Sequence, residues 1–136
     1  MLAQNFKTPA NLGISDQEHA ALVKVLGMLE REELKHVEWA CSPFGFNMEL
    51  ICVDNECGTM ACLMGWAQII GGADLFDMET VGPNQCLLDL FLFVGKNRSK
   101  FINNIDRREV RPDQAAIALR NYLTRGKACW QEALIQ

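Results

Sequence analysis

Apolar and polar positions along this chain fall into blocks of helical period separated by short breakers. The first block follows a stretch over residues 1–14 that holds Pro9, Gly13 and several Asn and Gln, and so predicts an extended N-terminal arm. Ser15-Asp16-Gln17-Glu18 has the form of a capping box, and Leu22, Val25, Leu26 and Leu29 recur behind it at helical spacing, opposite Lys24, Glu30, Arg31 and Glu33. The pattern predicts an amphipathic helix from Ser15 to about His36, carrying both histidines, His19 and His36. Between Cys41 and Cys57 the period is lost: Pro43, Gly45 and Asn47 break helix, and Leu50-Ile51-Cys52-Val53 is extended in character. One short strand or an extended loop is expected over residues 44–56.

The next block, Met60 to Ile70, is apolar or small at every position but Gln68, with Thr59 as its natural N-cap and Gly71-Gly72 as its stop. A helix without a polar face has to be covered all round, so this segment is expected at the centre of the fold, with Ala61 and Gly65 allowing a neighbour to approach closely. Gln85 to Val94 predicts a further buried helix ended by Gly95, and Pro112 to Gly126 another, with Ala115, Ala118, Leu119 and Tyr122 on its apolar face. Trp130 and Leu134 predict a last helical turn or two. The expected architecture is mainly α: a single compact helical domain over residues 1–136, of four to five helices around a buried central helix.

Composition adds little to that picture and removes several alternatives. No apolar run approaches the roughly 20 residues of a membrane-spanning helix, and Met1 to Asn11 lacks the basic flank and apolar stretch of a signal peptide, so a soluble, cytoplasmic protein is expected. Six cysteines in such a chain are then expected as mostly reduced thiols. The net charge of −4 argues against nucleic acid and anionic membranes as partners, although Lys96, Arg98, Lys100, Arg107, Arg108 and Arg111 make one basic segment.

Cys57-Gly58-Thr59-Met60-Ala61-Cys62-Leu63-Met64-Gly65-Trp66-Ala67 resembles the C-G-T-x-x-C-x-A-G-W-A signature of a family of small uncharacterised bacterial and bacteriophage proteins. Phe46-Asn47-Met48, Pro112-Asp113-Gln114-Ala115-Ala116, Leu119-Arg120-Asn121-Tyr122-Leu123 and Gly126-Lys127 with Trp130 are similar to its flanking segments. Met64 departs from the usual alanine, and Arg111 from the threonine expected before the proline. The resemblance implies a bacterial or phage origin and a shared fold unit, and no chemistry.

The chemical signals centre on the same block. In a helix beginning at Met60, Cys62 occupies the first turn, where free N–H groups favour a thiolate, and Cys57 is near enough in sequence to form a disulfide with it. Cys52 extends the series to C-x4-C-x4-C, which matches no standard zinc or iron–sulfur spacing. Each of these cysteines also has a structural use as a small buried residue. Asp54, Glu56, Asp74, Asp77 and Glu79 are loop carboxylates without the spacing of a calcium loop, and Trp39, Trp66 and Trp130 are expected in the core. No hydrolase elbow, phosphate-binding loop or dinucleotide motif is present, so no catalytic residue, metal ligand or cofactor is assigned. Two functions follow. The first is a non-enzymatic binding or accessory protein whose loops 41–56 and 96–111 contact another protein or a second copy of the chain. The alternative is a thiol-redox or metal-binding protein centred on Cys57 and Cys62, with Cys52 as a third participant.

Overall fold

A computed structural model of the chain describes residues 6–36, 45–46, 52–55, 58–72, 75, 84–92 and 110–134. Those residues are mainly helical. In chain order they form α1 (Pro9–Leu12), α2 (Asp16–Glu30), β1 (Lys35–His36), β2 (Gly45–Phe46), β3 (Cys52–Asn55), β4 (Gly58–Ala61), α3 (Leu63–Gly71), α4 (Gln85–Leu92), α5 (Pro112–Arg125) and α6 (Trp130–Leu134).

The capping box at the head of α2 is complete. Glu18 N–H donates to Ser15 Oγ at 3.1 Å, and Ser15 N–H donates to Glu18 Oε1 at 2.8 Å. The far end of this helix differs from the sequence expectation: it stops at Glu30, and His36 lies in β1. Glu33 N–H donates to the Met28 carbonyl and Glu32 N–H to the Leu29 carbonyl, with Glu32 at φ 59°. This is a Schellman turn in which glutamate holds the left-handed position that glycine usually fills. Lacking glycine, the stop left no mark in the sequence.

The extended region is larger than expected. Among the described residues four short strands make one sheet in the order β1-β2-β4-β3, with β1 parallel to β2, β2 parallel to β4 and β3 antiparallel to β4. The strand β4 takes Gly58 to Ala61 out of the predicted helix, so that α3 begins only at Leu63. The reason is non-local: Thr59 and Met60 pair with Asp54 and Val53 across the hairpin, and Met60 and Ala61 with Gly45 and Phe46 on the other side.

The helix α2 is the hub, packing against α1, α3 and α5. Its Leu22, Val25, Leu26 and Leu29 are buried together with Leu63, Trp66, Leu119 and Leu123. Helix α3 is not covered on every side: Leu63 to Ala67 are buried, whereas Ile69 is 46% exposed. A close approach occurs at its last residue, where a Cβ on Gly71 would stand 3.2 Å from the Ala21 Cβ of α2 and 2.6 Å from Leu75 Cδ2. Ala61, expected to share a helix face with Gly65 and admit a close neighbour, belongs instead to β4.

Helix α5 begins at Pro112 and ends at Gly126, which has φ 84°. Arg111 contributes no side-chain cap, but its N–H donates to Gln114 Oε1 at 2.9 Å. The buried Gln114 also donates from Nε2 to the Leu134 carbonyl at 3.4 Å and thereby holds α6.

These local geometries set two opposite stability changes. Gly71→Ala is expected to lower the unfolding free energy by about 1–3 kcal/mol, because overpacking against Ala21 exceeds the gain in helix propensity. Glu32→Gly is expected to raise it by about 0.5–1 kcal/mol, since the left-handed position suits glycine. Urea unfolding followed by circular dichroism measures both, and equal signs for the two variants would contradict the assignment.

Candidate functional site

The signature block folds as a strand, a cap and a helix. Cys62 is extended, with φ −84° and ψ −172°, and is the N-cap of α3; its Sγ accepts the Gly65 N–H at 3.5 Å. The predicted capping role of Thr59 therefore passes to Cys62, and Thr59 sits in β4 opposite Asp54. Cys62 is 4% exposed. Four residues on, the Trp66 Nε1–H donates to the Gly45 carbonyl at 2.8 Å, so the first turn of α3 is tied back to β2, the strand beside the one that leads into it.

Of the three candidate cysteines, two have a described backbone. Cys52 in β3 pairs with Ala61, the residue before Cys62, so strand register brings Cys52 and Cys62 to the same end of the hairpin. Cys57 lies outside the described residues, as do Cys41, Trp39, Glu56, Asp74, Asp77, Glu79 and the basic residues from Lys96 to Arg108. Among the described residues no group of three or more His, Cys, Asp or Glu comes together.

The remaining sequence candidates are dispersed. His19 Nε2 donates to the Lys7 carbonyl at 3.0 Å, and His36 is exposed in β1. Arg111 pairs with Asp113 at 3.0 Å, and that guanidinium holds the Asp113 carboxyl below its ordinary range. Cys129, at φ 52°, is half-buried; burial first, and a hydrogen bond with Glu132 second, push its thiol up. Trp130 is buried in α6 as expected.

Sequence reasoning missed a second polar cluster. Tyr122 of α5 is fully buried, and among the described residues its hydroxyl has no hydrogen-bond partner. Burial pushes its phenol well above the ordinary value, and the neighbouring Cys86 and Glu18 add to the shift. Asn84 joins α4 to the α1–α2 turn, where its Oδ1 accepts the Leu87 N–H at 3.1 Å and its Nδ2 donates to the Leu12 carbonyl at 3.1 Å. Periodicity marks Tyr122 as inward-facing, but nothing local to it could reveal neighbours on two other helices.

Compared with known proteins, the chain matches no family model, no curated protein and no solved structure. Among the described residues no helix is long and apolar enough to cross a membrane.

Two substitutions test these local roles. Cys62→Ser, which keeps a capping acceptor, is expected to stay within about 1 kcal/mol of the parent, whereas Cys62→Ala loses about 1–2 kcal/mol with the cap and the buried packing. Tyr122→Phe is expected to stabilise by about 1 kcal/mol, by removing a buried hydroxyl that has no hydrogen-bond partner among the described residues. Because burial raises its folded pKa, Tyr122 costs no stability through ionisation below the unfolded value near 10, and the fold loses stability as pH rises above it. The fall in stability above about pH 10 should be shallower in Tyr122→Phe, as read from unfolding midpoints across pH.

Proposed function

We propose that the chain is a non-enzymatic binding module of the bacterial and phage family its signature resembles, acting by self-association through the exposed end of α3. The observation that carries this reading is Ile69, 46% exposed on a helix whose preceding residues, Leu63 to Ala67, are buried. Among the described residues Ile69 is the large hydrophobic side chain left exposed, and a second copy packed on this end of α3 would cover it. The polar atoms of the signature block support it further. The Cys62 sulfur caps a helix and the Trp66 indole N–H joins that helix to a strand, uses that serve architecture.

A second reading, a thiol-redox or metal-binding protein centred on Cys57 and Cys62 with Cys52, is favoured by the register that sets Cys52 beside the residue preceding Cys62. Thiol titration at graded pH with metal analysis of the untagged protein decides it. Six thiols of ordinary reactivity and no bound metal end that reading.

Self-association is tested by light scattering over a concentration series. The parent should rise above its monomer mass of 15.3 kDa, and Ile69→Glu should remain monomeric with an unchanged circular dichroism spectrum. A parent that stays monomeric at every concentration removes the support for this reading.

A further inference from the structure

We draw no further inference here: the strongest candidate, the side-chain cluster of Tyr122, Cys86 and Glu18 on α5, α4 and α2, belongs to the polar cluster already described, and its one cysteine carries no second feature that points to a ligand.

Discussion

The 2.8 Å hydrogen bond from the Trp66 indole to the Gly45 carbonyl fixes how sheet and helix meet in this protein. It leaves a residue in the first turn of α3 and ends on a strand of two residues, which sits between β1 and β4. So short a strand has little pairing of its own, and the indole adds a contact outside the ladder. Because β4 runs directly into Cys62 and α3, one bond at Trp66 restrains the strand, the cap and the helix direction at once. The burial of Leu63, Trp66 and Ala67 against α2 then follows from that direction.

The elements that were legible in the sequence are those whose signals are local. Ser15 and Glu18 satisfy each other within one turn, Pro112 and Gly126 bound α5, and the Gly71-Gly72 stop of α3 holds. Where the sequence misled, the deciding interaction came from elsewhere in the chain. Thr59 looks like an N-cap, yet its neighbours Met60 and Ala61 are claimed by β2 and β3, and the cap moves three residues on to a cysteine. His36 sits on a helical period that had already been ended by the left-handed Glu32, a residue with no reputation for stopping helices.

The candidate site divides along the same line. The importance of Cys62 could be read from its place beside Gly58-Thr59, but not its task, since an N-cap and a first-turn thiol differ by a shift that only strand pairing determines. Tyr122 is the converse case. Its inward direction follows from spacing, while its raised pKa comes first from burial and then from Cys86 and Glu18, brought to it by α4 and α2. Asn84 likewise serves two helices with one amide, and only the assembled fold shows that both halves are engaged.

These anchors have a consequence for how the chain reaches its structure. Asn84 meets Leu12 across 72 positions, and Arg120 meets Glu30 across 90. Helical proteins usually owe rapid assembly to contacts between near neighbours, and this one relies on distant ones to close its corners. Its helices can flicker into being early, but large loops have to be drawn shut before the corners hold. The time taken to fold is therefore governed by topology more than by helix content, and during synthesis the α1–α2 turn waits for much of the chain before its partner residues exist.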